Sequence, residues 1–224
     1  MLKSCLKLMF YLAMTIGVSG ARAGAYEDFF KAVAVDDGGT VQALLQRGFD
    51  PNSRNESGQT PLYLALRDGN FKVAEALLAR PDLRQDLLNA NGESALMMAG
   101  LKGHADWVKR LIDRGARIEG ADTRAWTALH YAATGPSTAA LQLLLAKGAQ
   151  IDARSPNGST ALMMAARYGA ETSVAVLLDK GADARLLNDM QLGAADFARL
   201  GGREALAARL AQLAQSPQSP QPSR

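Results

Sequence analysis

The side chains most often used for acid–base, nucleophilic or metal chemistry near neutral pH are scarce in this 224-residue chain: two histidines, His104 and His130, and one cysteine, Cys5. A histidine is a candidate acid, base or ligand only where other polar groups converge on it. The chain carries no H-E-x-x-H pair, no Gly-rich phosphate loop ending in Gly-Lys-Ser/Thr and no G-x-S-x-G elbow, so no motif supports zinc, phosphate or serine-nucleophile chemistry. The carboxylates are scattered. Asp36-Asp37 and Asp122 read as caps rather than as an acid pair. Met97-Met98 and Met163-Met164 have the make-up of an oxidant-sensing or metal-binding cluster, but at helical spacing methionine is a packing filler, and Trp107 reads as core in the same way. Neither a catalytic site, a metal nor a cofactor is expected.

The elements that position these side chains follow from a repeat. QTPLYLAL from Gln59, ESALMMAG from Glu93, WTALHYAA from Trp126 and STALMMAA from Ser159 align without gaps. Their hydroxyl residues Thr60, Ser94, Thr127 and Thr160 are spaced 34, 33 and 33 apart, and Gly115, Gly148 and Gly181 repeat at 33 and 33. Two registers with one period predict a solenoid of stacked units. The hydroxyls supply helix N-caps, and Pro61 sits at the first helical position, where no donor is lost. Leu62, Ala65, Leu96, Ala99, Leu129, Ala132, Leu162 and Ala165 form the apolar stripe of a first helix. Second helices are expected over 72–79, 105–114, 138–147 and 171–180. Each of the last three is closed by a left-handed glycine, with Arg114, Lys147 or Lys180 at its negative end. Asn91-Gly92 and Asn157-Gly158 mark the turns that follow.

At these residues the chain resembles the ankyrin-repeat family, from about residue 26 to 214. The resemblance implies an all-α solenoid of helix-turn-helix repeats with short finger hairpins, about six repeats including caps. Tyr26 to Arg54 is expected as the N-terminal cap, with Phe29 and Phe30 over the first core layer; Asn188 to Ala214, ending in an Ala-rich helix over 204–212, is the C-terminal cap. Arg80-Pro81-Asp82 adds a residue between repeats two and three, and one closing glycine is missing there. By the same resemblance His130 hydrogen-bonds backbone between repeats and His104 holds a recurrent structural position. Finger tips and exposed first-helix positions face one concave groove, which makes Arg67, Asp68, Lys102, Arg124, Trp126, Arg167, Tyr168 and Met190 the candidate partner-binding residues. Trp, Tyr and Arg dominate interface energetics, so the centre is expected at Trp126.

The first residues read as an export signal: Lys3 and Lys7, an apolar run from Leu8 to Val18, and Ala21-Arg22-Ala23 as cleavage site, with Ala23-Gly24-Ala25 as a second frame. The signal peptide is then 1–23, or 1–25. Removing Lys3, Lys7 and Arg22 leaves 22 basic residues of the original 25 against 22 acidic ones, so the formal charge of +3 falls to zero. That excludes the basic footprint of a nucleic-acid binder. Cys5 leaves too, and with it disulfides. A thiol-free exported protein fits the bacterial periplasm; the sequons at Asn55 and Asn157 are then chance matches. Residues 215–224 read as a disordered Pro/Gln-rich tail.

The expected function is a non-catalytic module that binds another protein in the periplasm. It protects, assists or inhibits that protein, as a peroxide-defence accessory or a toxin-immunity protein would. An enzyme with an unrecognised site and a self-assembling solenoid are the alternatives.

Overall fold

The computed structural model describes residues 24–120 and 124–215. The export signal with Cys5, the capping role given to Asp122, and the tail from 216 lie outside the described residues. Twelve helices occur in the described part: α1 over 24–34, then α2 Gly38–Gln46, α3 Pro61–Asp68, α4 Phe71–Leu78, α5 Ala95–Leu101, α6 Ala105–Asp113, α7 Ala128–Thr134, α8 Thr138–Ala146, α9 Ala161–Tyr168, α10 Glu171–Asp179, α11 Ala194–Leu200 and α12 Glu204–Gln215. The second helices fall within a residue of their expected ends. The helices α3, α5, α7 and α9 start on the repeated hydroxyls: Thr60, Ser94 and Thr160 accept the N–H groups of Tyr63, Met97 and Met163 at 3.4, 3.2 and 3.5 Å. Each satisfies a donor the helix cannot. The Thr127 hydroxyl makes no such bond and lies 2.9 Å from His130 Nδ1 instead.

The chain forms two compact units, one ending at Arg84 and one beginning at Gln85. In the first, α2 packs on α4 and α3 on α4. Phe29 is fully buried and stacks on Phe49 with ring centroids 4.2 Å apart, while Phe30 meets Phe29 edge-on, as expected of the N-terminal cap. Asp37 caps α2 through the Thr40 N–H at 2.9 Å, which holds its carboxyl below the usual range, and Asp36 accepts from the Val73 N–H at 3.0 Å. Both aspartates are caps. The extra residue after α4 replaces the glycine closure with a fork from Arg80 to Asp82, both bonds 2.9 Å.

In the second unit α5, α7, α9 and α11 pack side by side as an inner row, and α6, α8 and α10 as an outer one. Leu96, Leu129, Leu141, Leu144, Leu162 and Leu177 are buried between them. Gly115, Gly148 and Gly181 have φ of 92°, 93° and 94°, the left-handed closure their spacing predicts. Trp107 is buried, with the Arg110 guanidinium 4.3 Å from its ring centroid.

The fingers are tight turns rather than paired strands; among the described residues one isolated antiparallel bridge, Leu187 with Gly193, is the whole of the extended pairing. Asn55, Asn89, Ser155 and Asn188 each donate their N–H to the residue four on and accept from the N–H three on. The side-chain oxygens of the three asparagines also accept the N–H groups two and four residues on. A polar side chain thus replaces the ladder as what fixes each finger.

Candidate functional site

The inner-row helices start with a buried N–H on the N-cap residue, and the side chain three residues on satisfies it. The Met97 and Met163 sulfurs accept from the Ser94 and Thr160 N–H groups at 3.3 and 3.4 Å. Asp196 Oδ2 accepts from Gly193 at 2.9 Å, which supplies a cap where the hydroxyl is missing. At the equivalent place in α7, His130 Nδ1 accepts from the Thr127 N–H at 3.2 Å. Since that nitrogen takes a backbone proton, the other carries one: Nε2–H donates to the Ser159 carbonyl at 3.0 Å, in the next repeat. Burial pushes the His130 pKa down, with the Ser159 carbonyl opposing it. His130 is therefore a neutral structural tie. His104 occupies the N-cap position of α6, where its side chain makes no capping hydrogen bond. Met97, Met98 and Met163 are buried, as fillers should be.

The ring of Trp126 packs against buried His130 edge-on, with centroids 5.3 Å apart, and Tyr131 meets the same indole at 6.4 Å. Together with Leu101, Thr134 and Met164 these side chains line an open cleft of about 220 Å3 on the inner row. The Tyr131 hydroxyl donates to Glu93 Oε1 at 3.0 Å, and Asn89 Nδ2 to Oε2 of the same carboxylate at 2.7 Å; these neutral donors fix the carboxylate in place and leave its charge. Trp126 is half-buried: it is a wall of the cleft as well as a surface group.

The other expected groove residues divide by what holds them. Arg67 is forked onto Asp68, both bonds 2.7 Å, so this pair in the first unit cancels its own charge. Arg124 reaches Asp189 at 2.5 Å across the intervening finger. Gly158 lies beneath that pair with φ 77°, where a Cβ would sit 2.7 Å from Asp189 Oδ1. Met190, beside Asp189, is 67 % exposed. Lys102 is exposed at the end of α5. Arg167 lies over the ring of exposed Tyr168, 4.8 Å from its centroid. The structure brings Trp126 together with Tyr131, which no motif marks, and with Met164, expected as a packing filler but only half-buried on the cleft wall; the signal of both was the period, since they are 33 residues apart at one repeat position.

Among the described residues no three His, Cys, Asp or Glu side chains gather as a metal site, and no helix is long and apolar enough to cross a membrane.

A family model described as ankyrin repeats (3 copies) matches residues 29–122 and 115–188. Relatives include the poly(ADP-ribose) polymerase tankyrase of Caenorhabditis elegans, 38 % identical over 33 % of this chain and 3 % of its own length. The human transient receptor potential cation channel subfamily A member 1 is 34 % identical over 47 % and 10 %, and a probable rice E3 ubiquitin-protein ligase 32 % identical over 58 % and 29 %. The chain thus spans under a third of the length of these relatives. Among solved structures, a complex of a predatory endopeptidase from Bdellovibrio bacteriovorus with an immunity protein contains a chain 29 % identical to this one, with a TM-score of 0.69, over 83 % of this chain and 97 % of that one. The repeats that set the His130 tie and the Trp126 cleft are those of a protein-binding module, and the chain belongs to the ankyrin-repeat family.

Proposed function

We propose that this protein is a non-catalytic, exported binding protein that engages a peptidase of the bacterial envelope and restrains it, in the manner of an immunity protein. The observation that carries this reading is the likeness over 97 % of a chain from a solved endopeptidase–immunity protein complex. The cleft supports it independently: an indole and a phenol on a row of rigid helices form the kind of anchor pocket on which interfaces concentrate their energy. Fold alone does not choose a partner, so the partner must be tested directly.

The protein beginning at Gly24 or Tyr26, immobilised, is expected to recover a peptidase from periplasmic extract and to lower its activity when added in excess. Trp126→Ala is expected to weaken that recovery at least tenfold. Equal recovery by both forms, or recovery without any effect on hydrolysis, overturns the reading. Export is checked separately: amino-terminal sequencing of the periplasmic protein should begin at Gly24 or Tyr26, and an intact Met1 on a cytosolic protein would sink it.

A further inference from the structure

The charge around the Trp126 cleft is positive on balance: Arg124 and Asp189 cancel, and Lys102 and Arg167 outnumber Glu93. Glu93 is tied down by the wall residue Tyr131 and by Asn89, so its carboxylate is held in place by two hydrogen bonds, and the Asp189 carboxylate is paired with Arg124. Two cations remain beside the apolar walls. Lys102 follows the wall residue Leu101 at the end of α5, and Arg167 stands one helical turn beyond the wall residue Met164 on α9. Among the described residues neither is ion-paired to a carboxylate; Arg167 rests on the Tyr168 ring. The contrast with Arg67 shows what differs: it occupies the same repeat position as Arg167, a hundred residues earlier, but is followed by Asp68, which neutralises it. Arg167 is followed by an aromatic that holds it without cancelling its charge.

The size of the cleft limits what enters it. At about 220 Å3 it is below the roughly 300–1,000 Å3 of sites that enclose a cofactor or drug-sized ligand, and it suits one large side chain. Its walls are aromatic and aliphatic, with the Thr134 hydroxyl already donating to the Tyr131 carbonyl at 2.8 Å. Between α5 and α9, position 135 is a glycine where Lys102 and Tyr168 stand in the neighbouring repeats, so nothing projects there between the two cations.

We infer that the cleft takes a bulky apolar side chain from an acidic segment of a protein partner, the side chain between Trp126 and Met164 and flanking carboxylates on Lys102 and Arg167. The inference rests on the binding reading above and names the chemistry that the same surface would recognise. Complementary charge sets register and encounter rate, while the apolar anchor supplies affinity.

The test uses labelled, end-blocked pentapeptides and fluorescence anisotropy with the mature protein. Glu-Asp-Phe-Asp-Glu is expected to bind at least tenfold more tightly than Lys-Lys-Phe-Lys-Lys or Glu-Asp-Ala-Asp-Glu, and to weaken as salt rises. Lys102→Glu combined with Arg167→Glu should reverse the preference between the acidic and basic Phe peptides; both side chains reach solvent, and thermal melts verify folding. Trp126→Ala should remove the advantage of Phe over Ala. Equal binding of acidic and basic peptides, no binding of the acidic Phe peptide, or an unchanged preference after charge reversal overturns the inference. If peptidase recovery still depends on Trp126 while any of those results holds, only the acidic chemistry is wrong; if recovery ceases to depend on Trp126, the groove reading fails with it.

Discussion

His130 and Met163 occupy the same place in adjacent repeats and share one duty, accepting the N–H of the N-cap residue. They differ in everything beyond it. The thioether of Met163 has one weakly accepting atom and otherwise fills space, whereas the imidazole has a second nitrogen that reaches Ser159 in the next repeat. In α5, α7, α9 and α11 an acceptor stands at every such position, while the tie to the next repeat is made at α7. The tie also brings a titratable group into the core, which the thioether does not.

The comparison breaks most visibly if the ring is removed. His130→Ala leaves the Thr127 N–H and the Ser159 carbonyl without their partner in a buried place and opens a cavity. Together these should cost about 3 kcal/mol or more in chemical denaturation. A loss below about 1 kcal/mol would mean that water replaces the ring without penalty. His130→Met copies the neighbouring repeats, keeping the acceptor and the volume while dropping the tie. Its expected cost is about 1–2 kcal/mol, the value of one buried hydrogen bond and its orphaned carbonyl.

The same pair of variants separates the titration from the packing. Burial lowers the folded-state pKa of His130 beneath the ordinary value of 6.5. Above about pH 6.5 the ring is neutral in both states and its contribution is fully present. As pH falls below that, the unfolded chain takes up a proton that the folded one resists, so stability is lost until the folded pKa is passed. The slope cannot exceed about 1.4 kcal/mol per pH unit for one proton. His130→Met should flatten this part of the stability profile between pH 6.5 and 5; an unchanged slope in the variant would place the titration elsewhere.

How legible each part was depended on whether residue type or only position is fixed. N-cap hydroxyls and closing glycines were readable because few residue types do their work: Thr60, Ser94 and Thr160 cap as expected, and Gly115, Gly148 and Gly181 are left-handed. The shared acceptor role at N3 is hidden because a thioether, an imidazole and a carboxylate do not look alike: by type Met97 and Met163 read as fillers, His130 as a tie between repeats, and Asp196 carries no signal. The finger-to-finger pair of Arg124 and Asp189 was not legible, since its partners are 65 residues apart and meet only through the reach of a side chain across a repeat. By type and position Arg124 is a candidate partner-binding cation; the structure pairs it with Asp189. For the cleft, Trp126 stood out as a large apolar group the repeat does not require, but its walls needed the stacking of α5, α7 and α9.

A second column was present in the spacing and went unread for the same reason. Asn52, Asp86, Glu119 and Asp152 are 34, 33 and 33 apart. Each accepts a backbone N–H about one repeat on, from Arg84, Arg117, Gln150 and Asp183 at 2.7, 2.9, 2.8 and 3.1 Å. Amide and carboxylate serve equally as acceptors, so the column has no constant letter. The Asp152 carboxyl has its pKa raised, mainly because burial penalises its charge, with Asp183 nearby adding repulsion. Asn52 shows that an uncharged acceptor suffices, and Asp152→Asn tests that on the same fold. Its Oδ1 can still accept from Asp183, while the charge is gone, so at pH 7 the variant should match or exceed the native protein by a few tenths of a kcal/mol. The sign follows from linkage: the native protein gains relative to the variant as pH falls through the raised folded pKa towards 3.8, because the folded state binds the proton first. Denaturation of both proteins between pH 7 and 4 measures the difference. A variant less stable by more than about 1 kcal/mol at pH 7 would show that the brace depends on the carboxylate's charge, separating Asp152 from Asn52 as firmly as the second ring nitrogen separates His130 from Met163.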